Sequence, residues 1–343
     1  MPNPLRIIHL VTSLSVAAGG TATAVLAYAA GLAAAGQAIE IVSFDRGPFA
    51  FAWGSAPPPG LKVSLFPSHG RDNAVGPELI AHLQQRLKEK PDALHLHGMW
   101  QPLNVKAAAL ARTAGVPYVC SIHGMLDPWS VRQRALKKRI YFALAERKRL
   151  AHSAALHFTA RQEAAKATPW LPAHVKQVII PILIDLSPYA ALPSRSEAGA
   201  MHPAIPPDMP WVLFLSRIHE KKGLDLLIDA VAVLPDKRVQ LVVAGDGEAG
   251  YVAAMKERAK RAGIAERAHF VGLVRGAAKT ALFRRADVLV LPTSQENFGI
   301  VFPEALACET PVLTTQGVDI HEELVGSGGA MLIQREAGDI AGK

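Results

Sequence analysis

The chain has 343 residues, of which 50% are hydrophobic and 19% are charged. It is long enough for two domains and too apolar to be disordered. Its two cysteines, Cys120 and Cys308, are too few for a disulfide framework and favour a reducing, cytosolic compartment.

The first forty residues contain a long uncharged stretch, from residue 10 to residue 39. A membrane span is disfavoured, because Ala, Gly, Ser and Thr dominate the stretch, Gly19-Gly20 interrupts it, and alanine adds little insertion energy. A signal peptide is disfavoured by the single Arg and the lack of a leucine-rich core at the start. We predict instead a strand over residues 6–12, a glycine loop, and a helix over about 23–35.

Short β-rich apolar runs then alternate with helical patterns along the whole chain, as in "ALHLH", "YVCSIH", "WVLFLS" and "DVLVLP". Nearly continuous apolar strands joined by helices predict parallel sheets covered on both faces, which is α/β architecture. Residues 187–210 hold six prolines and no apolar periodicity. We therefore predict two doubly wound domains, 1–186 and 205–343, joined by a linker over 187–204, with a ligand cleft between the domains.

The glycine loop "SLSVAAGGTATAV" follows the first strand and precedes a helix. Gly19 and Gly20 would let backbone amides approach a phosphate or an acceptor, although an ordinary strand-to-helix turn explains them as well. The loop lacks the Lys-Ser/Thr of a P-loop.

Two histidines stand at predicted strand ends, His97 in "LHLHGMW" and His123 in "SIHGMLDPW". The carboxyl ends of parallel strands meet at one edge of a sheet, where ligands bind. This position favours a functional role for His123, whereas a structural role is favoured for His97. A metal site is not predicted, because no cluster has ligand spacing.

The positive charge is concentrated in residues 128–150, where eight Arg or Lys oppose the single acid Glu146, a local excess of +7 (8 − 1). A solvated helix face, an anionic membrane surface and an anionic substrate all fit this pattern, and nucleic acid fits it less well. The candidate acceptor or membrane residues are Arg132, Arg134, Lys137, Lys138 and Arg139.

In the second domain, "LSRIHEKKG" puts Arg217 and Lys222 just past the first strand. The forked guanidinium of Arg217 and the ammonium of Lys222 would both suit a diphosphate, and ordinary surface charge is the alternative explanation.

The segment "AGDGEAG" matches G-x-G-x-x-G at Gly245, Gly247 and Gly250. It follows the domain's second strand, and the next strand ends without an acid, so turn glycines are favoured over a dinucleotide site.

The stretch "TSQENFGIVFPEALA" carries Glu296 and Glu304 around Gly299. Pro303 favours a helix start, which puts Glu304 in the first helical turn and Glu296 in the preceding loop. The spacing therefore argues against an acid–base pair. Two hydroxyl-binding carboxylates would flank backbone amides aimed at an anion.

Together these motifs resemble the retaining glycosyltransferases of family 4, which have the GT-B fold, over essentially the whole chain. The segment 123–150 is similar to members that build exopolysaccharide or lipopolysaccharide. The resemblance implies a metal-independent enzyme without cofactor that uses a UDP- or GDP-sugar. It implies donor-binding roles for Gly19, Gly20, Arg217, Lys222, Val271, Leu273, Glu296, Asn297, Phe298, Gly299, Ile300 and Glu304, and catalytic roles for His123, Glu296, Arg217 and Lys222.

The implied acceptor is a lipid-linked glycan at the cytoplasmic face of an anionic membrane, with no nucleic acid partner. Two features depart from the family: "PILID" replaces the usual Asn-Gly near the domain crossover, and a closing helix across the first domain is not found. The alternatives are a sugar-nucleotide epimerase of similar fold, for which the required carboxylates in both domains are missing, and a non-catalytic binder of anionic glycans.

Overall fold

The computed structural model describes residues 3–15, 18–45, 47, 57–68 and 75–343. The chain divides into two compact units, Met1–Leu183 and Ile184–Lys343. Each unit is built on its own parallel sheet flanked by helices. The predicted α/β fold, with two doubly wound units, is confirmed.

Unit 1 contains a seven-stranded sheet in the order β3-β2-β1-β4-β5-β6-β7. Its strands are β1 (Arg6–Leu10), β2 (Ala38–Asp45), β3 (Leu61–Pro67), β4 (Ala93–His97), β5 (Tyr118–Ser121), β6 (Ala155–Phe158) and β7 (Gln177–Ile179). Its helices are α1 (Gly20–Ala34), α2 (Pro77–Lys88), α3 (Pro102–Ala114), α4 (Pro128–Arg132), α5 (Ala135–Tyr141), α6 (Arg147–Ala151) and α7 (Arg161–Ala167).

Unit 2 contains a six-stranded sheet in the order β10-β9-β8-β11-β12-β13. Its strands are β8 (Trp211–Leu215), β9 (Gln240–Ala244), β10 (Ala268–Gly272), β11 (Val288–Leu291), β12 (Val312–Thr314) and β13 (Ala330–Leu332). Its helices are α8 (Arg195–Ala200), α9 (Leu224–Val233), α10 (Ala249–Arg261), α11 (Gly276–Arg285), α12 (Val301–Ala307), α13 (His321–Gly326) and α14 (Ala337–Ala341).

The strand order reverses once in each unit, between β1 and β4 and between β8 and β11. Loops that follow such a pair of strands leave on opposite faces of the sheet and open a crevice, which is where ligands bind in doubly wound folds. The topology therefore selects the loops after β1 and β4 in unit 1, and those after β8 and β11 in unit 2.

The uncharged stretch folds as predicted into strand, loop and helix, with α1 starting at Gly20 rather than near residue 23. Residues 16 and 17 of the glycine loop lie outside the described residues. Among the helices that the structure describes, none has both the length and the apolar character to cross a membrane.

The segment predicted as a linker, 187–204, belongs to unit 2. It contains α8, which starts at a capping box formed by Ser194 and Glu197. Ala198 of α8 is buried, and Arg195 donates to Asp287 Oδ1 at 2.6 Å. The prolines of the segment flank this short helix. The segment lacks apolar periodicity because the helix is too short to show it, and not because the chain is extended there.

Candidate functional site

The loops that follow β8 and β11 are tied together at the switch point of unit 2. The Lys221 carbonyl accepts from the Ser294 amide at 2.7 Å and from the Thr293 hydroxyl at 3.1 Å. Gly223 has φ +72°, and a Cβ there would lie 2.4 Å from the Pro292 carbonyl oxygen. Only glycine allows this approach, so backbone contacts hold the two loops together.

Lys222 and Glu296 project from these two loops and form an ion pair. Only 11% of the Lys222 side chain is exposed. Burial, together with the charges of Arg217 and Lys221, lowers the pKa of Lys222 to about 7. The Glu296 carboxylate opposes this shift, because it stabilises the charged ammonium.

Arg217 lies beside this pair and is exposed. Among the described residues, its guanidinium has neither a hydrogen-bond acceptor nor an ion-pair partner. Glu296 offsets the charge of Lys222, and the unpaired Arg217 guanidinium leaves the group positive overall, which favours an anion. Of the readings left open by the sequence, diphosphate binding fits this arrangement better than dispersed surface charge.

The Glu296 backbone is fixed by a third loop. Its amide donates to Gly317 O at 2.9 Å, and its carbonyl accepts from the Asp319 amide at 3.0 Å. Gly317 packs so closely that a Cβ would lie 2.7 Å from Ser294 O. The carboxylate is thus held on a backbone that three loops share.

The turn from Glu296 into α12 depends on Gly299, which has φ +69°. A Cβ at Gly299 would lie 2.5 Å from Phe302 Cε2, so both the conformation and the space require glycine. Phe298 is buried, and Asn297 and Ile300 are partly buried. α12 begins at Val301, two residues before the predicted start, because this turn, and not Pro303, sets the helix start.

Glu304 lies in the first turn of α12, as predicted. Lys279 Nζ contacts its Oε1 at 2.6 Å and its Oε2 at 2.5 Å. The Tyr189 hydroxyl donates to Oε1 at 3.2 Å. Burial, followed by the Glu304 charge, raises the pKa of Tyr189.

No motif of the sequence predicts Lys279 or Tyr189 as part of the site. Neither follows a strand, and they precede Glu304 by 25 and 115 residues, so no spacing rule connects them to it. Tyr189 also falls in the segment predicted as a linker. Only the packing of that segment on unit 2 would have revealed it.

The glycines of "AGDGEAG" have structural explanations. A Cβ would lie 1.9 Å from Ser216 O at Gly245, and 2.1 Å from Ile218 O at Gly247. These two glycines pack backbone against backbone with the loop that carries Arg217, which favours the interpretation as turn glycines. Val271 and Leu273 lie at the carboxyl end of the edge strand β10, where Leu273 is exposed.

In unit 1, Gly19 and Gly20 form the entry to α1. Gly19 is the N-cap, with φ +62° and ψ −136°, a conformation essentially restricted to glycine. Gly20 has no such requirement, and a Cβ there would meet nothing within 4 Å. Packing among the described residues therefore does not require glycine at position 20.

His123 follows β5 in a left-handed conformation, with φ +52°, and Gly124 continues it with φ +69°. Such a φ is uncommon for a residue other than glycine, and strain of this kind concentrates at functional sites. The Gly124 amide donates to Glu163 Oε1 at 2.6 Å, which holds the turn. His97, the last residue of β4, is fully buried, and its Nδ1 lies 3.0 Å from His123 Nε2.

Three histidines from β1 and β4 come close together: His9, His95 and His97 each offer a ring nitrogen, all within 4.8 Å of one another. Three nitrogens at this distance could hold a metal ion. Linear spacing did not predict the group, because His9 is 88 residues from His97 and pairing of β1 with β4 brings them together.

The basic segment forms α4, α5, a π-helical turn at Phe142–Glu146, and α6. Not all of its cations face solvent: Arg149 is buried and donates to Glu146 Oε2 at 2.5 Å. Lys138 is half-buried, donates to Ser130 O at 2.6 Å, and lies over the Trp100 ring. The other four candidate residues, Arg132, Arg134, Lys137 and Arg139, are exposed.

An apolar ridge, which the sequence analysis did not predict, runs along the same segment. Leu136, Ile140 and Leu144 are 74%, 52% and 80% exposed. Residues four apart share a helix face, so these side chains lie in a row beside the exposed cations.

Comparisons with known proteins agree with the division into two α/β units. A family model described as "Glycosyl transferases group 1" matches residues 180–342, and one described as "Glycosyl transferase 4-like domain" matches residues 19–182. The division between the two matches falls within a few residues of the division between the two units.

Among curated proteins, a D-inositol 3-phosphate glycosyltransferase of Xylanimonas cellulosilytica is 30% identical over 330 residues, which is 86% of this chain and 75% of that protein. The crystal structure of Anabaena HepE with UDP and glucose matches with a TM-score of 0.78 at 22% identity, over 98% of this chain and 88% of that one. Sucrose-phosphate synthase of Thermosynechococcus elongatus matches with a TM-score of 0.76 at 19% identity and the same coverage.

Proposed function

Since the chain belongs to family 4 of the glycosyltransferases and has their GT-B fold, we propose that it moves a sugar from a nucleotide sugar to a glycan acceptor, with retention of anomeric configuration. The observation that carries this proposal is the group formed by Arg217, Lys222 and Glu296 at the switch point of unit 2. It joins two cations suited to a diphosphate with a carboxylate suited to sugar hydroxyls.

In the proposed reaction the bond between the anomeric carbon and the diphosphate oxygen breaks, and a bond to the acceptor oxygen forms on the same face. The acceptor hydroxyl gives its proton to the departing phosphate oxygen. Arg217 and Lys222 stabilise the negative charge that develops on that phosphate. Glu296 accepts from hydroxyls of the donor sugar and orients its reacting carbon.

Glu304 would accept hydrogen bonds from the ribose hydroxyls, and the backbone of 297–300 would line the sugar and phosphates. Ribose binding must then compete with Lys279 and Tyr189 for the same carboxylate oxygens. UDP is the favoured nucleotide, because a protein of the same fold was crystallised with UDP and glucose. Val271 and Leu273 would contact the base.

Within unit 1, Gly20 would let a phosphate approach the entry of α1 closely, and His123 would contact a sugar. The proposed reaction requires no divalent cation, because Arg217 and Lys222 supply the positive charge. Equal initial rates with and without EDTA would support this part of the proposal, and a rate restored only by Mg²⁺ or Mn²⁺ would refute it.

Protection against thermal unfolding by UDP-glucose, GDP-mannose and ADP-glucose tests the donor site. We expect a rise in Tm with at least one donor, and a smaller rise in Arg217→Gln. The matched control is Lys260→Gln, which removes an exposed cation from α10. Transfer of the sugar to acceptor extracts, followed by mass spectrometry, separates a transferase from an epimerase or a simple binder. No protection by any donor would refute the proposal.

For the acceptor, we propose a lipid-linked glycan reached at an anionic membrane surface on the cytoplasmic side, in cell-surface polysaccharide biosynthesis. The apolar ridge of Leu136, Ile140 and Leu144, with exposed cations beside it, supports this proposal. An amphipathic helix with this pattern lies at a lipid interface, its apolar side in the acyl boundary and its cations against anionic headgroups.

Sedimentation with vesicles tests the membrane proposal. We expect binding to phosphatidylglycerol vesicles and little binding to phosphatidylcholine vesicles at low salt. The double variant Leu136→Gln/Leu144→Gln should lose binding. Val233→Gln, a change at a residue of unit 2 that is also strongly exposed, should keep it. Equal binding to both vesicle types would contradict the membrane proposal. Transfer of the sugar to a soluble phosphorylated polyol, in place of a lipid-linked glycan, would contradict the proposed acceptor.

A further inference from the structure

Five histidines stand together in unit 1, on β1, on β4, after β5 and on β6: His9, His95, His97, His123 and His157. They form two hydrogen-bonded chains. One includes Ser121 and ends on a backbone carbonyl, and the other runs from the buried His9 to the strained His123.

The first chain has a fixed direction. His157 Nε2 lies 2.9 Å from Ile180 O, and a carbonyl only accepts, so Nε2 carries the proton. His157 Nδ1 therefore accepts from the Ser121 hydroxyl at 2.6 Å. Ser121 in turn accepts from His95 Nε2 at 2.6 Å.

The second chain joins His9 Nδ1 to His97 Nε2 at 2.9 Å, and His97 Nδ1 to His123 Nε2 at 3.0 Å. A neutral His97 has one donor and one acceptor nitrogen. Its two hydrogen bonds must therefore run in the same sense along the chain.

The rings are neutral because they are buried. Burial, followed by the repulsion that a protonated His157 would exert, lowers the pKa of His9 to about 4 and that of His123 to about 3. Burial lowers the pKa of His97 well below its ordinary value, and neighbouring histidines, His95 first, lower it further. At neutral pH each ring therefore carries one proton, and the second chain has only two possible directions.

The buried His9 Nε2 selects between them, because it has no hydrogen-bond partner among the described residues. One direction leaves a bare lone pair at this nitrogen, and the other leaves an N–H. Orphaned buried backbone N–H groups are rarer in proteins than under-satisfied backbone carbonyls, and we extend this preference to the imidazole N–H. His9 Nδ1 therefore donates to His97 Nε2, and His97 Nδ1 donates to His123 Nε2.

We propose that His9 and His97 are positioning residues that fix His123 as the Nδ1–H tautomer. His123 then offers a hydrogen-bond donor, and its acceptor nitrogen is already occupied. It is set to hold an oxygen of the substrate rather than to abstract a proton. The tautomer follows from unit 1 alone, whereas its use on a donor sugar rests on the proposed function.

A metal ion is the competing explanation for the same cluster. His9, His95 and His97 come within ligand distance of one another. However, both ring nitrogens of His97 already take part in hydrogen bonds, so a metal would have to break the link from His9 or the link to His123.

Long-range ¹H–¹⁵N spectra of the full chain labelled in histidine measure each tautomer without any need for activity. We expect the Nδ1–H form at His123, which is not the form that histidine favours in water. At His9, Asn can turn its amide NH₂ toward His97 Nε2 and so keep a donor near the position of Nδ1, whereas Leu removes the donor. His9→Asn should preserve the His123 tautomer, and His9→Leu should mix it. A wild-type His123 in the Nε2–H form would overturn the proposal.

A matched pair of variants at His97 separates an effect on the His123 tautomer from an effect on the packing of the cluster. Asn places its amide near the position of Nδ1, which faces His123, and Gln places its amide near the position of Nε2, which faces His9. His97→Asn can still turn its amide NH₂ to His123 Nε2, so it should keep more of the Nδ1–H form at His123 than His97→Gln. His97→Gln should lose it and lower kcat about tenfold, the worth of one hydrogen bond of ordinary strength, with little change in donor KM.

Equal kcat in the Asn and Gln variants, at equal Tm, would overturn the assignment. So would histidine shifts in the wild type on addition of stoichiometric Zn²⁺ that vanish in His9→Asn, because they would establish a metal site. Loss of the proposed transferase activity as such would leave the tautomer measurements intact, so the two proposals fail separately.

Discussion

Donor binding should weaken as pH rises, because Lys222 is the buried cation of the proposed diphosphate site. Its pKa is about 7 in the free protein. A bound diphosphate adds negative charge beside the ammonium and raises this pKa, so binding takes up a proton. The charged form dominates below pH 7 and is lost above it, which sets the sign of the effect.

The magnitude follows from the fraction of Lys222 that is charged. With a pKa of about 7, roughly nine in ten Lys222 side chains are charged at pH 6 and about one in thirty at pH 8.5. If only the charged form binds, the dissociation constant rises about 30-fold over this interval, which corresponds to ~2 kcal/mol. UDP-glucose is the suitable probe, because its diphosphate has no ionisation in this window.

Isothermal titration calorimetry at several pH values measures this dependence. Repeating it at pH 8 in two buffers of different ionisation enthalpy should show uptake of close to one proton. Lys222→Arg is the matched control, because arginine stays charged and should bind with little pH dependence. Arg217→Gln should move the midpoint to higher pH, since the Arg217 charge contributes to the low pKa of Lys222. A wild-type dissociation constant that is flat from pH 6 to 8.5 would refute the reasoning.

Three further predictions concern the carboxylates and glycines. Glu304→Gln should raise the donor KM about tenfold or more, because a hydrogen bond to a charged group contributes about 1.5–3 kcal/mol; an unchanged KM would remove ribose binding from this residue. Gly20→Ala should leave Tm unchanged and weaken donor binding. Gly299→Ala should lower Tm, because its Cβ would lie 2.5 Å from a Phe302 ring carbon. A lower Tm in Gly20→Ala with an unchanged Tm in Gly299→Ala would contradict both assignments. Glu146→Gln should cost about 3–5 kcal/mol in denaturant unfolding, because it leaves the Arg149 charge buried without its partner; a loss below 1 kcal/mol would show that water or another group compensates that charge.

The fold and the main loops of the candidate site could be predicted from the sequence because their signals are local. Apolar runs predict strands, and polar residues directly after a run lie at the carboxyl edge of the sheet. This logic found Arg217, Lys222 and Glu296, and it separated Glu296 from Glu304. α12 starts at Val301, two residues before the start that Pro303 predicts, because the Gly299 turn begins the helix.

The features that were missed depend on tertiary contacts between distant residues. Lys279 and Tyr189 reach Glu304 only through the packing of α11 and of the segment after Leu183. The link between His9 and His97 requires pairing of β1 with β4. In the basic segment, the charge count gave no sign that Arg149 is buried or that an exposed apolar ridge accompanies the remaining cations.

Each of the two glutamates of the site forms an ion pair with a lysine, and this pairing determines how the carboxylates can bind a sugar. Glu296 pairs with Lys222, and Glu304 pairs with Lys279. An ionised carboxylate only accepts hydrogen bonds, so each glutamate can bind sugar hydroxyls while its lysine compensates its charge. The two lysines differ: Lys222 lies next to Arg217 in the proposed diphosphate site, whereas Lys279 lies on α11 beside the proposed ribose site. A bound donor would therefore draw Lys222 toward its phosphates and would compete with Lys279 for Glu304. Replacing Lys279 with Met should accordingly lower the donor KM and leave the pH dependence set by Lys222 in place, and an increase in KM would show that Lys279 binds the donor itself.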